Sequence, residues 1–154
     1  LIADEPTTAL DVTIQAQILD LMNELREIYV TSVIMITHDL GVIAETCEQV
    51  AVLYAGQVGE EAGVDEIFHN TAHPYTVGLL RSVTSLGGAQ KELYAIRGTV
   101  PTAGNFSAGC RFADRCEHCM SICREQAPKL VEVSHGHKCR CWLHTGITRE
   151  EAAQ

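Results

Sequence analysis

Residues 32–37, Ser-Val-Ile-Met-Ile-Thr, constrain the fold more than any other stretch of this chain. The run is short, apolar without a break from Val33 to Ile36, and β-branched at Val33, Ile34 and Ile36. That pattern predicts a parallel strand covered on both faces. Upstream, Leu1-Ile2-Ala3 runs straight into Asp4-Glu5-Pro6, as the end of a second buried strand would. Between the two, Ile14, Ile18, Leu21, Leu25 and Ile28 recur at helical spacing behind Asp11, a natural N-cap. A helix to about Tyr29, with one buried face, follows from that spacing. Strand, helix and strand joined in this way pair in parallel.

The remainder is organised in the same terms. Asp39 is placed to cap a short helix in "HDLGVIAETC", and "QVAVLYAGQVGEEA" reads as two strands joined around Ala55-Gly56. From "VDEIFHN" through "HPYTVGLLRSV" the pattern is helical, with Pro74 near a helix start. "TSLGGAQ" is the natural linker, centred on Gly87 and Gly88. Beyond it come "KELYAIRG", a loop around Pro101 and Gly104, a cysteine-rich module and a frayed tail. No internal repeat or low-complexity segment interrupts the chain.

Composition narrows the function. The 154 residues carry a formal net charge of −9, which argues against nucleic acid as the main partner. No apolar run approaches the roughly 18 to 20 residues of a membrane span. Six of the seven cysteines, Cys110, Cys116, Cys119, Cys123, Cys139 and Cys141, crowd the last third, while Cys47 stands apart. In an oxidising compartment such crowding suggests disulfides, and in the cytosol a metal. The odd total fits a complete disulfide framework poorly.

Chemistry concentrates where the two parallel strands end. Ligands of open α/β sheets bind outside the carboxyl ends of the strands, and Asp4, Glu5 and His38 all fall there. One carboxylate can hold a Mg²⁺ ion, a second can orient or deprotonate an attacking water, and a histidine can sense a terminal phosphate. Singly, each residue is as well explained as a strand end, a helix cap or a structural histidine. Together they describe a division of labour for nucleotide hydrolysis.

"LIADEPTTALD", followed at this distance by "VIMITHDLGVIAETCEQVAVLYAGQVGE", resembles the ATP-binding subunits of ABC transporters over most of residues 1–70. In that resemblance Asp4 matches the Walker B aspartate, Glu5 the catalytic glutamate and His38 the switch histidine. Ala9-Leu10-Asp11 matches the D-loop, which places Asp11 with Asp4 among the cofactor-binding residues. "HPYTVGLLRSV" and "GCRFADRCEHCMSICREQAPKLVEVSHGHKCRCWL" resemble the C-terminal extension of the oligopeptide/dipeptide importer subclass. The resemblance implies an α/β fold: a partial P-loop NTPase-type parallel sheet with helices over 1–86, a cysteine-rich module over 87–146 and a tail over 147–154.

It also implies ATP and Mg²⁺ as cofactors, with a second ATP-binding subunit and transmembrane permease subunits of a peptide importer as partners. The site would lie on the cytoplasmic face of the membrane, held peripherally. Three family features have no counterpart in the sequence: the G-x-x-x-x-G-K-[ST] phosphate loop, the glutamine loop and the LSGG-type signature. The chain is therefore expected to be the C-terminal portion of an ATP-binding subunit, inactive by itself. The alternative is a stand-alone metal-binding or regulatory module without ATPase activity.

For the cysteines, the resemblance implies Cys110, Cys116, Cys123 and Cys141 as ligands of a 4Fe–4S cluster. Spacing instead favours zinc, because Cys116 and Cys119 form a C-x-x-C pair with Cys139 and Cys141 further on. Plain reduced thiols are the third possibility. Asp114, Arg115 and His118 are expected to lie at the surface or behind a ligand, and Trp142 in the core.

Overall fold

The fold was examined in a computed structural model, which describes residues 1–84, 94–102, 104, 106 and 108–146. The expected linker at 84–90 and the tail at 148–154 fall almost wholly outside those residues. The chain divides into two compact units, Leu1–Cys47 and Glu48–Gln154.

In the first unit, β1 (Ile2–Asp4) and β2 (Ile34–Ile36) pair in parallel, with Ile2 opposite Ile34, Ala3 opposite Met35 and Asp4 opposite Ile36. Helix α1 (Val12–Tyr29) connects them, and Asp11 caps it by accepting the Ile14 N–H at 3.0 Å. Helix α2 (Leu40–Thr46) is capped by Asp39, whose Oδ1 accepts from Gly41 and Val42 at 2.8 and 3.2 Å. These caps stand where the sequence places them.

Two expectations need correction here. Helix α1 buries Leu19 and Met22, whereas Ile14, Leu21 and Ile28 remain 40, 48 and 63% exposed. The apolar stripe is wider than the seam actually packed, so periodicity marked part of the wrong edge. Strand β2 is also not covered on both faces: Ile34 and Ile36 stay 61 and 50% exposed and Ile2 70%, while Ala3 and Met35 are half-buried. In a strand, alternate residues face opposite ways. One face of this pair is packed and the other is open.

The second unit is built on a four-stranded antiparallel sheet in the order β3-β4-β6-β5. Strands β3 (Gln49–Tyr54) and β4 (Gln57–Gly63) form the expected hairpin, turning at Ala55 and Gly56, whose φ values of +47° and +77° are both left-handed. Two left-handed residues are what a tight hairpin matched to strand twist demands, and glycine adopts that region without strain. Helix α3 (Val64–His69) and helix α4 (Pro74–Thr84) follow, with Pro74 as the first helical residue, where its missing N–H costs nothing. After a short α5 (Ser121–Glu125), strands β5 (Val131–Ser134) and β6 (His137–Cys139) complete the sheet, with β6 pairing to β4 through Glu60 opposite Cys139.

Packing in this unit centres on aromatic rings. Tyr54, Tyr75 and Phe112 lie with centroids 4.7 to 5.4 Å apart, and His73 lies 5.9 Å from Phe112. Each such pair contributes about 0.5–1.5 kcal/mol beyond the area it buries. Residues 109–110 pack directly on α5: a Cβ at Gly109 would clash with the Cys123 carbonyl oxygen, and the Cys110 N–H donates to that oxygen at 2.7 Å. Among the described residues, no helix is long and apolar enough to cross a membrane.

Candidate functional site

Because β1 and β2 run in parallel, both carboxyl ends lie at the same edge of the pair. Asp4 occupies the last position of β1 and is exposed. The chain then turns sharply at Glu5, whose φ is +48°, while its N–H still donates to the Ile36 carbonyl at 2.8 Å. A left-handed conformation at a residue with a side chain is strained, and such strain persists only where the surroundings impose it. Here the Ile36 bond fixes the backbone, and Ala9 at φ +61° closes the loop four residues on.

That turn delivers the Glu5 carboxylate to His38, two residues beyond β2. Glu5 Oε1 and His38 Nδ1 are 2.9 Å apart, and Thr8 donates its hydroxyl to Oε2 at 2.6 Å. Both carboxylate oxygens are thereby held. The hydrogen bond with His38, then that with Thr8, draws the Glu5 carboxyl below its ordinary pKa. Reciprocally, the hydrogen bond to Glu5, followed by its negative charge, raises the His38 imidazole. Water reaches the pair freely, since the His38 side chain is 79% exposed and that of Glu5 38%.

Of the residues singled out in the sequence, Glu5 and His38 are thus brought together and Asp4 stands beside them on β1. Asp11 also caps α1, its Oδ1 accepting the Ile14 N–H. Asp4 alone suits Mg²⁺ in the sense that this ion retains most of its waters and commonly takes only one or two protein carboxylates, the rest coming from phosphates. Thr8 was missed in the sequence. It is a small hydroxyl in a turn, and only the geometry gives it a partner.

The structure does not support the metal expectation for the cysteine module. Among the described residues, no group of three or more His, Cys, Asp or Glu side chains is arranged to hold a metal ion. All seven cysteines are free thiols. Burial pushes the Cys116 thiol up to about 11 and Cys141 to about 12, with neighbouring cysteines adding to the shift. Cys110, Cys119 and Cys139 are raised as well, each chiefly by burial. No such group is formed by the cluster set Cys110, Cys116, Cys123 and Cys141, or by Cys116 and Cys119 with a third ligand, although Cys116, Cys110 and Cys123 stand near enough to Cys141 to raise its thiol further. Asp114 is exposed and pairs with Arg124 at 2.6 Å, and His118 is exposed. Trp142 is only half-buried, its indole N–H donating to the Gln126 carbonyl at 2.9 Å.

Two further sets of residues organise the second unit. Glu60, fully buried on β4, accepts the backbone N–H groups of Ala72 and His73 at 2.6 and 3.1 Å just before α4 begins. Three arginines also hold main-chain carbonyls: Arg111 that of Ala55, Arg115 those of Ile96 and Arg97, and Arg140 those of Val58 and Pro128. Tandem glutamates in a strand hint that one of them faces inward. No sequence rule says which carbonyls an arginine will find.

Known proteins carry the same stretches. Residues 60–123 match the family described as "Oligopeptide/dipeptide transporter, C-terminal region". The chain is 50% identical over all 154 of its residues to the oligopeptide transport ATP-binding protein AppD of Bacillus subtilis, covering 46% of that protein. It is 54% identical over 144 residues to OppD of the same organism, or 93% of this chain and 40% of that protein. To OppD of Haemophilus influenzae it is 48% identical over 143 residues, 93% of this chain and 44% of the relative. The chain therefore spans less than half the length of these relatives. Residues 60–123 thus match the C-terminal region of the oligopeptide/dipeptide transporter family, and the chain as a whole is similar to oligopeptide transport ATP-binding proteins.

Proposed function

We propose that this chain supplies the hydrolytic edge of an ATP-binding subunit that energises a peptide importer. The observation that carries the proposal is the Glu5–His38 hydrogen bond at 2.9 Å, formed at the shared carboxyl edge of β1 and β2 with Asp4 alongside. ATP with Mg²⁺ would supply the phosphoanhydride whose cleavage releases energy. Glu5 would orient the attacking water and accept its proton, His38 would contact the terminal phosphate, and Asp4 would hold the Mg²⁺ ion. Thr8 and His38 keep the Glu5 carboxylate aimed. Asp11, as cap of α1, fixes the start of the helix that follows the D-loop.

The same reading takes residues 1–86 as part of an ATPase domain and 87–146 as the C-terminal module of the importer subclass. It makes the subunit a peripheral one on the cytoplasmic face, working with a second ATP-binding subunit and with transmembrane permease subunits. Neither iron–sulfur nor zinc chemistry is assigned a step, because no group of side chains arranged to hold a metal ion stands among the described residues.

The deciding experiment is to sequence the gene upstream of the Leu1 codon. An in-frame phosphate loop and LSGG-type signature are expected. A start codon directly ahead of Leu1, with neither motif, would overturn the proposal in favour of a stand-alone regulatory module.

A further inference from the structure

Beside the β3–β4 turn lies a cavity of about 400 Å³, lined by Tyr54, residues 98–102, Arg111, Asp114 and Arg115. Arg111 and Arg115 stand four residues apart around the short 3-10 turn Ala113–Arg115, so both guanidinium groups reach one space. Asp114, the carboxylate between them, is engaged by Arg124 at 2.6 Å. The lining therefore carries an excess of positive charge, in a chain whose net charge is −9. A local cation pair against an acidic whole concentrates anions at that spot.

The donors are also not used up. A guanidinium has five N–H groups. Among the described residues, Arg115 bonds to the Arg97 carbonyl at 2.9 Å, the Ile96 carbonyl at 3.1 Å and the Tyr54 hydroxyl at 3.3 Å, and Arg111 to the Ala55 carbonyl. Those bonds fix the two side chains while leaving N–H groups over. Arg111 is further held over the Phe106 ring, 4.0 Å from its centroid. A cation immobilised on an aromatic face loses little freedom when it accepts a ligand. Opposite them, Gly98 at φ +77° brings the main chain against Arg115, where an added Cβ would stand 3.4 Å from its Cγ. Thr99 and Thr102 add hydroxyls to the wall.

We propose that this cavity binds a small organic oxyanion, a carboxylate or a phosphate monoester, with its charged end on Arg111 and Arg115 and its body along residues 98–102. Planar forks of N–H donors match both oxyanions. The volume lies within the usual range of small-molecule sites and exceeds what a bare ion fills. All of the lining lies in the second unit, and the site's existence does not depend on the proposed hydrolytic role.

The test is a titration of the full chain, followed by amide NMR, with acetyl-trialanine, with the C-terminal amide of the same peptide, and with glycerol phosphate. The expected result is saturable shifts at residues 98–100, 102 and 111–115 with a Kd of about 1 mM or tighter for the acid, the ester or both, and none for the amide. Whichever of acid and ester binds more tightly identifies the source of the oxyanion. Arg111→Gln should weaken binding roughly tenfold or more. Thr102→Val, at the exposed rim, should weaken it severalfold in a chain with an unchanged spectrum elsewhere. Equal binding of acid and amide, shifts confined to other residues of the wild-type chain, or no saturation by about 20 mM of any probe would overturn the proposal.

Discussion

Glu60 and His137 form a pair sealed from solvent, with Oε1 and Nε2 2.8 Å apart and side-chain exposures of 0 and 3%. Seventy-seven residues of chain separate them. The opposite ring nitrogen of His137 lies 3.7 Å from Glu66, so the imidazole sits between two carboxylates. With the Ala72 and His73 N–H groups, Glu60 ties β4, the start of α4 and β6 to one point.

Glu60→Ala should therefore cost far more than a typical core truncation. Two backbone donors and a histidine lose their acceptor in a buried place, which is worth about 3–5 kcal/mol. Urea unfolding of the two proteins measures the difference. A loss below about 1 kcal/mol would mean that water replaces the carboxylate.

Acid should weaken the second unit through His73. Burial, the largest cause, holds its imidazole down to about 4 from the ordinary 6.5. The unfolded chain takes up a proton near the ordinary value and the folded chain does not. Stability from this residue is thus fully present above the unfolded pKa and is lost as pH falls from about 6.5 towards about 4, by up to about 3 kcal/mol. Urea midpoints across that window should fall more steeply for wild type than for His73→Gln. Parallel lines would assign the acid sensitivity to another group.

The cysteines should be sluggish nucleophiles. A thiol raised from 9 to about 11, as Cys116 is, presents roughly 100-fold less thiolate at neutral pH. Ellman's reagent should count seven thiols in the unfolded chain and react with the buried ones slowly in the folded chain. A brown preparation containing iron and sulfide, whose cysteines become reactive as unfolding releases the iron, would instead assign the slow reaction to a bound cluster.

The open face of the β1–β2 pair should drive self-association. Ile2, Ile34 and Ile36 present contiguous apolar surface on a two-stranded sheet, the kind of exposure that recruits further strands or copies. Sedimentation of the isolated chain should show species above the monomer, reduced by Ile34→Lys. A clean monomer would mean that this face is tolerated in water.

Turnover should depend on Glu5. The chain by itself is expected neither to bind ATP with micromolar affinity nor to hydrolyse it, and calorimetry checks the first point. In a longer form that carries the phosphate loop, Glu5→Gln should lower kcat by roughly 100-fold or more while ATP binding persists, since the amide spares the phosphate contacts. Wild-type turnover in that variant would remove Glu5 from catalysis.

The sequence disclosed most where the physics is local. Asp11 and Asp39 announce their helices because an N-cap needs only a side-chain oxygen and the next turn. Ala55-Gly56 announces the hairpin because glycine adopts the left-handed turn. Glu5 and His38 could be paired from topology, as parallel strands align their ends. What stayed hidden is non-local: which edge of the α1 stripe is packed, which strand face lies open, and how deeply each of the crowded thiols is buried. Glu60 belongs to this class too, because its partners come from segments 12 and 77 residues away.

The pairing of β4 with β6 has a consequence for biosynthesis. Glu60 leaves the ribosome long before Cys139, its partner across the ladder. At roughly 5–20 residues per second, the wait lasts seconds. Throughout it the edge of β4 that receives β6 is unpaired, and Glu60 has no histidine beside it. Vectorial synthesis therefore commits this sheet to closing last, and a chain released before residue 137 would have no way to close it.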